Sequence, residues 1–517
     1  MILTESKDTT KINPPAFRAF QRLEGTKAVV VGSGLGGLAT AIRLRTQGYE
    51  VAIFEANDYV GGKIDHWEHE GFRFDLGPSV FTMPQYIEEL FSIAGKDIED
   101  YLQIERPALP FNYFFEDGTV IHCWKNLERL VAEFAAKTID DEATIWAYLK
   151  DIQQKFELTE EVFLKSSLHI LQNYLRKEVA HGIINIQKVE VFKSLDKANR
   201  KSLRDPKSIR MFNTFASYMG SNPYRAPGIL KVVSHFQLNL GVYLPQNGII
   251  GIARALEKLA HDLGVNIYTK TQVDEIILVQ NQVKGIRIGE HRIDSDLVIS
   301  NLDICNTYKH LLPNLKRPKH FTDNQKGHSA MVFLWGMDKS FPELTLHNMF
   351  PSKLMEEEYT AIFKHGEFGD DLTVYLYISN KVTGTDAPKN KENWYILVNA
   401  PHDRGQDWGA LAVATRELVL KKLETILNQP IREHILFERV QDPRTFKGKT
   451  GTDLGAIYGN SFNGTFSVFR RHPNFSSSVE NLYFCGGTVH PGPGVPLTLL
   501  SGKIVAELVA KKQGKIT

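Results

Sequence analysis

The run Gly32-Ser33-Gly34-Leu35-Gly36-Gly37 constrains this chain more than any other feature, because of what stands on either side of it. Before it lies the apolar segment Lys27–Val31, and after it an Ala/Leu/Ile-rich segment that continues through Leu44 to Gln47 and is stopped by Gly48. The first reads as a buried strand and the second as a helix. Gly32, Gly34 and Gly37 then occupy the G-x-G-x-x-G positions of a strand-to-helix turn whose backbone amides and helix N-terminus can receive a pyrophosphate. A second apolar run, Glu50–Phe54, ends at Glu55, eighteen residues after Gly37. A carboxylate at that distance accepts hydrogen bonds from ribose hydroxyls. Taken alone, the glycines also fit a tight turn beside a solvated glutamate. Strand, turn, helix, strand and Glu55 together read as one βαβ nucleotide-binding half of about thirty residues.

A chain of 517 residues exceeds what one simple core organises, so two or more lobes are expected. Lys plus Arg number 61 against 60 for Asp plus Glu, which leaves no basic footprint for nucleic acid. Cys123, Cys305 and Cys485 are too few and too scattered for a disulfide framework or a metal site, which fits a reducing cytoplasm. The longest apolar stretches, 27–38 and 495–509, are broken by glycine or charge before twenty residues, so no transmembrane helix is expected. Residues 1–25 are polar, contain Pro14 and Pro15, and lack the pattern of a signal peptide. They are expected to be a disordered leader.

The organisation expected is an α/β fold in which a Rossmann-type nucleotide-binding domain is assembled from 26–95, 242–303 and 470–517. Between these pieces lie an antiparallel-sheet substrate domain, 96–126 and 304–469, and a helical cap, 127–241. The cap reads as mostly helical, with one amphipathic run over 158–175. Strands are expected over 265–279 and 283–288, joined by a turn at 280–282, and over 297–300 and 482–485. Alternating strands at 331–335, 373–378 and 394–398 suit a sheet with one wet face that floors a substrate cavity. A helix is expected over 496–511, with Pro496 suited to its first turn.

Gly61, Gly62 and Lys63 follow Glu55 closely, and the composite 32–63 resembles the extended signature of the flavin amine-oxidase and carotenoid-desaturase superfamily. The resemblance implies FAD bound in extended form, with Lys63 as a cation near its pyrophosphate; a solvated lysine is the alternative. The segment Phe74-Asp75-Leu76-Gly77-Pro78-Ser79-Val80 resembles the stretch that lies beside the flavin ring in desaturases, and it also fits a plain turn at Gly77-Pro78. Val273 falls within a strand where the superfamily holds the adenine, and Asn301 ends the strand 297–300 on the flavin side. Leu454, with the adjoining match at 455–459, completes the interior part of the resemblance. The segment 481–496 resembles the carboxy-terminal signature of the bacterial-type phytoene desaturase family, including its 3,4-desaturase branch on hydroxylated carotenoids. Gly487, Gly494 and Val495 are implied to lie nearest the ring, with the helix N-terminus facing it. Where family members carry Gly-Ala-Gly before Thr-His-Pro-Gly, this chain has Gly486-Gly487-Thr488-Val489-His490. Through the helical cap the resemblance is weak.

What the family implies is a hydride leaving an allylic carbon for the flavin and a proton leaving its neighbour, with a quinone or oxygen as final acceptor. The preferred substrate is a 1-hydroxylated carotenoid such as a hydroxy-gamma-carotene, desaturated at the 3,4 position. A phytoene or carotene desaturase with several steps, or a non-catalytic prenyl-binding protein of the same fold, are the alternatives. No carboxylate, histidine or tyrosine is identified as a catalytic base. His490 fits either a base or a structural role in its Gly-rich loop, and Cys485 either a covalent flavin link or a small buried hydrophobe. A lipophilic substrate implies peripheral attachment to a membrane surface. Phe163, Leu164, Ile170, Leu171 and Leu175, flanked by Lys165, Arg176 and Lys177, form either a membrane-facing stripe or ordinary core.

Overall fold

A computed structural model of the chain describes residues 14–170, 172–173 and 189–514. Strand Lys27–Val31 is the middle of a five-stranded, all-parallel sheet, with Leu297–Ser300 and Glu50–Phe54 beside it and Leu482–Phe484 and Asn266–Tyr268 at the edges. Its central strands are buried almost throughout, as continuous apolar runs between two covering layers must be. Helix Leu35–Thr46 covers one face, and helix Val495–Lys512 packs on that helix. The approach is close enough that a Cβ on Gly502 would stand 2.9 Å from the Gly36 carbonyl oxygen and 3.0 Å from Ala39 Cβ. Glycine at this position is a packing requirement.

Two expectations about this half are corrected. Residues Pro14–Arg22, assigned above to a disordered leader, form a helix. Phe17 and Phe20, three residues apart and so on one face, are both buried, and Phe17 meets Phe54 and Tyr268 edge to face. Val273 lies in the loop between strands Asn266–Tyr268 and Glu275–Val279. That loop is held as a clamp, the Lys270 and Thr271 N–H groups donating to the Asn57 and Glu55 carbonyls at 2.7 Å each.

A seven-stranded sheet forms the second layer, in the order Ile435–Gln441, Ser329–Met337, Glu392–Ala400, Val374–Tyr377, His347–Phe350, Phe111–Phe114 and Val120–Cys123. Its pairs are antiparallel except that His347–Phe350 runs parallel to Phe111–Phe114. The expected wet face is absent from the three strands for which it was expected: Ser329–Met337 and Val374–Tyr377 are buried along their whole lengths, and Glu392–Ala400 at all but one position. Helix Trp408–Leu427 covers Met331, Phe333 and Trp335 on one side, while Ala330, Val332 and Leu334 face the main core on the other. Sequence alternation marks which face a side chain takes, but not whether a helix from elsewhere covers that face.

In the cap, helices Leu127–Lys137 and Glu142–Thr159 carry asparagine and aspartate N-caps whose side chains accept from Arg129 and Thr144 N–H. The amphipathic run expected over 158–175 is also corrected, because the second helix passes through one π-turn, Glu160–Leu164, and stops. Phe163 packs on Phe469, and Leu164 joins the main core. Leu171, Leu175, Arg176 and Lys177 lie outside the described residues. Among the described residues no helix is long and apolar enough to cross a membrane.

Candidate functional site

Between the two sheets runs a cavity of about 850 Å³, near the upper end of ligand-pocket sizes. Its nucleotide end is made largely of backbone. Gly32, Gly34, Leu35, Glu55, Gly62 and Lys63 line it, and Gly34 and Gly62 face each other so closely that a Cβ on Gly62 would stand 3.0 Å from Gly34 Cα. A Cβ on Gly34 would stand 2.6 Å from Asn301 Oδ1. Ser33, Gly36 and Gly37 stand behind the wall. Gly37 is pressed on the first strand, where a Cβ would lie 2.2 Å from the Gly32 carbonyl oxygen, and Gly36 on the Gly486 backbone. Helix Leu35–Thr46 starts at Gly34 with no side-chain cap, so its first-turn N–H groups are left to whatever binds there.

Glu55 is buried beside this turn. One carboxylate oxygen accepts from the Ser33 N–H and Oγ at 2.8 Å each, and the other from the Asn57 N–H and Nδ2 at 2.9 and 3.0 Å. Two backbone donors thus fix the anion, while the Ser33 hydroxyl and the Asn57 amide are rotatable partners that a ribose hydroxyl can replace. Val273 closes this end from the clamp loop.

Farther along, Pro78, Ser79, Val80, Asn301 and Leu454 line the cavity, as do Gly487, Gly494 and Val495. Gly77 turns the 74–80 segment with a φ of +106°, and a Cβ there would lie 2.0 Å from the Lys63 carbonyl oxygen. Leu454 holds a left-handed backbone at φ +55°. Helix Val495–Lys512 begins at Gly494, again without a side-chain cap, so a second helix N-terminus opens on the same cavity.

Lys63 donates to the Ile457 carbonyl at 2.7 Å. Burial pulls its ammonium down to about 8, with Asp303 opposing and Arg471 adding to the effect. Arg471 was not singled out from the sequence. It is pulled down to about 9 by burial against the pull of Asp303, and it donates to the Gly487, Tyr458 and Asn460 carbonyls at 3.0 to 3.1 Å. Its Nε has no hydrogen-bond partner among the described residues. Burial makes the charge on both groups costly, and an anionic phosphate beside Lys63 would offset that cost, so this end fits a nucleotide pyrophosphate.

The opposite end is built from side chains of the seven-stranded sheet. Tyr375 shares its hydroxyl with Ser79 Oγ and His347 Nδ1 at 2.8 Å each, and Tyr395 donates to the Gly77 carbonyl at 3.3 Å. Thr373 and Asn399 also line the cavity. Both bond Glu358 behind them, whose carboxylate accepts from the Thr373 N–H at 3.0 Å, Thr373 Oγ1 at 2.7 Å and Asn399 Nδ2 at 3.4 Å. Burial pushes Glu358 up to about 7. Nothing near these tyrosines or Glu358 resembles a motif; Asn57, two residues after Glu55, and Asp303, which lines the cavity two residues after Asn301, were within reach of a local reading.

His490 does not line the cavity. It is buried, pulled down to about 3 by its surroundings, and its Nε2 meets the Ser166 carbonyl at 2.9 Å. Cys485 is likewise buried behind the wall, its thiol pushed up to about 12 by burial. Both occupy the structural role among their alternatives.

The chain is similar to several known proteins. It is 39% identical over 93% of its length to the 1-hydroxycarotenoid 3,4-desaturase of Flavobacterium sp. (strain P99-3), covering 99% of that protein. It is 33% identical to the 4,4'-diaponeurosporene oxygenase of Staphylococcus aureus (strain MSSA476) over 94% of this chain and 98% of that one. Its fold matches the crystal structure of an oxidoreductase from Methanosarcina mazei with a TM-score of 0.61 at 16% identity, covering 93% of this chain and 100% of the other. Residues 35–510 match the flavin containing amine oxidoreductase family, and the chain belongs to that family.

Proposed function

We propose that this flavoenzyme is an FAD-dependent carotenoid desaturase that introduces the 3,4 double bond of a 1-hydroxylated carotenoid. The observation that carries the reading is one continuous cavity, which runs from the glycine turn to a floor of buried tyrosines and aliphatic side chains. An extended polyene needs that continuity, since its reacting carbons must lie over the cofactor while the rest is sheltered from water. The similarity to the Flavobacterium enzyme supports the substrate class.

Bound FAD would supply the hydride acceptor, with its oxidant a quinone or oxygen. The Gly32–Gly37 turn and its helix hold the pyrophosphate, Glu55 the adenine-side ribose, and Lys63 a counter-charge. Val273 shields the adenine. Pro78, Ser79, Val80, Asn301 and Leu454 would hold the ring, together with Gly487, Gly494 and Val495 at the second helix N-terminus, which would stabilise negative charge there. Tyr375 and Tyr395 fix the 77–80 segment against the floor, which positions substrate and excludes water. No residue is assigned as base.

The substrate resides in lipid, and the enzyme meets it as a peripheral protein. Phe192 of the cap and Phe466 beside it, 67% and 57% exposed, lie edge to face at 6.5 Å and form an exposed aromatic pair suited to enter a bilayer surface. Flotation with liposomes tests this attachment, which is wrong if the protein stays in the soluble fraction at every lipid composition. Substrate class is tested by incubating the holoenzyme with phytoene, a carotene and its 1-hydroxy derivative under the same acceptor. The 1-hydroxy compound is expected to be converted most efficiently, and conversion of phytoene to lycopene with no turnover of the hydroxylated substrate would reject the subclass.

A further inference from the structure

Two polar side chains in the wall of the main cavity have no part in the site described so far. Gln441 ends the edge strand Ile435–Gln441, and Thr452 follows the helix Pro443–Thr450. Both line the cavity, and they are only 3% and 1% exposed. Gln441 Oε1 and Thr452 Oγ1 are shut off from solvent and have no hydrogen-bond partner among the described residues. No other described residue of the cavity wall has such an atom. A buried polar group left unpaired is costly, and two on one wall mark a place where a bound group can pair them.

The sheet sets where this place lies. On its cavity-facing side Tyr375 stands opposite Leu397, Leu397 opposite Val332, and Val332 opposite Gln441. Residues directly opposite share a face, so Gln441 lies in one transverse row with the tyrosine whose hydroxyl meets Ser79. Thr452 is two residues from Leu454. Ser79 and Leu454 both belong to the segments assigned above to the flavin ring. In the next row Ala330 stands opposite Asn399, and both line the cavity. The short Ala330 side chain leaves a hollow between Gln441 and Asn399, whose amide is held by Glu358.

The groups around this hollow define its occupant. Neither Gln441 nor Thr452 carries charge, and the adjoining carboxylate of Asp453 is paired with Lys326 at 2.8 Å, so the site suits a neutral group. A turn about the last torsion of Gln441, which is soft, presents its amide to the hollow. Its oxygen then needs a donor, which an ether or a carbonyl lacks, while the Thr452 hydroxyl can give or take a hydrogen bond. A hydroxyl meets both demands at once.

We infer that the hollow over Ala330 receives the hydroxyl of the substrate, with Gln441 and Thr452 as the groups that select it. The inference rests on the hydroxycarotenoid reading above and deepens it. In a 1-hydroxylated carotenoid the carbon that bears the oxygen is two bonds from C3 of the bond being oxidised. Its site must therefore adjoin the segments that hold the ring, as this one does. An unhydroxylated end leaves Gln441 and Thr452 unpaired, which is the basis of discrimination.

Gln441→Met removes the amide at nearly constant length, and Thr452→Val removes the hydroxyl at nearly constant shape. The two oxygens bond nothing among the described residues, so neither change should lower the flavin content or the thermal midpoint of the holoenzyme. The ratio of kcat/KM for a 1-hydroxycarotenoid to that for its parent carotene should fall about tenfold in each variant. An unchanged ratio in either, as an ordered water in the hollow would give, overturns the inference. Loss of flavin in either would mean that these groups pair with the cofactor, and overturns it too. Binding to holoenzyme with its flavin kept reduced, read from the shift of the carotenoid's visible absorption, separates the hollow from the proposed reaction. Wild type that prefers the hydroxylated carotenoid, with the preference lost in both variants, keeps the hollow even if the product is not 3,4-desaturated. Equal binding of the two carotenoids by wild type removes it.

Discussion

The two ends of the cavity are built from different materials. At the nucleotide end the contacts are backbone: glycines at 32, 34, 62 and 77, two uncapped helix starts, and N–H groups on Glu55. At the opposite end they are side chains, Tyr375, Tyr395, Tyr218, Thr373 and Asn399, contributed by strands and turns far apart in the chain. A phosphate is the same in every member of such a family and can be met by main chain, whereas a particular lipid is distinguished by side-chain shape and hydrogen bonding. Damage to the first end should thus appear as lost flavin, and damage to the second as altered substrate handling with flavin retained.

The sharpest way to break that contrast is Gly77→Ala. A methyl 2.0 Å from the Lys63 carbonyl oxygen, at a φ of +106°, has nowhere to go, and a loss of about 4 kcal/mol is expected. Denaturant unfolding and flavin content should fall together; a stable, fully loaded variant would mean that the backbone end is not tightly built.

Glu358→Gln probes the other end through pH. Burial beside Thr373 and Asn399, with the Lys422 ammonium the nearest opposing charge, raises its carboxyl above the value in an unfolded chain, to about 7. The stability it contributes is complete in acid, below the unfolded value, and is lost as pH rises through about 7. In alkali the variant should be the more stable protein, by an amount on the order of 3 kcal/mol, with flavin still bound. Parallel thermal midpoints for the two proteins across that range would show that Glu358 does not titrate there.

Glu55→Ala should cost the holoenzyme about 2 kcal/mol of flavin affinity, read as release of flavin on dilution. Unchanged affinity would remove Glu55 from the ribose. The smallest effect is expected from Tyr375→Phe, which unpairs Ser79 Oγ and His347 Nδ1 for about 1 kcal/mol. Turnover should drop while flavin content holds; loss of flavin in this variant would erase the distinction between the ends.

The nucleotide end was legible in the sequence because its parts are local. Strand, glycine turn, helix and Glu55 fall within one short stretch, and each glycine carries its own steric reason. The strands and helices of the substrate layer were also foreseeable, but their surroundings were not: a period of two does not reveal that Trp408–Leu427 seals the outer face, nor that Phe17 and Phe20 find a partner surface at Phe54 and Tyr268. His490 shows the converse, a conspicuous residue in a diagnostic segment that folding places behind the wall.

By itself the sequence determined that the chain builds a βαβ unit with a glycine turn at Gly32–Gly37, a carboxylate at Glu55 beside that turn, and a closing helix after Gly494, since these depend on neighbours a few residues away and on backbone freedom that glycine alone supplies. Tertiary structure alone decided which side chains face the far end of the cavity. Tyr375 against Ser79, Arg471 on Gly487, Glu358 beneath Thr373 and Tyr218 on Gln237 join positions that no periodicity relates. Their roles arise from burial and hydrogen bonding, which exist only once distant segments have packed.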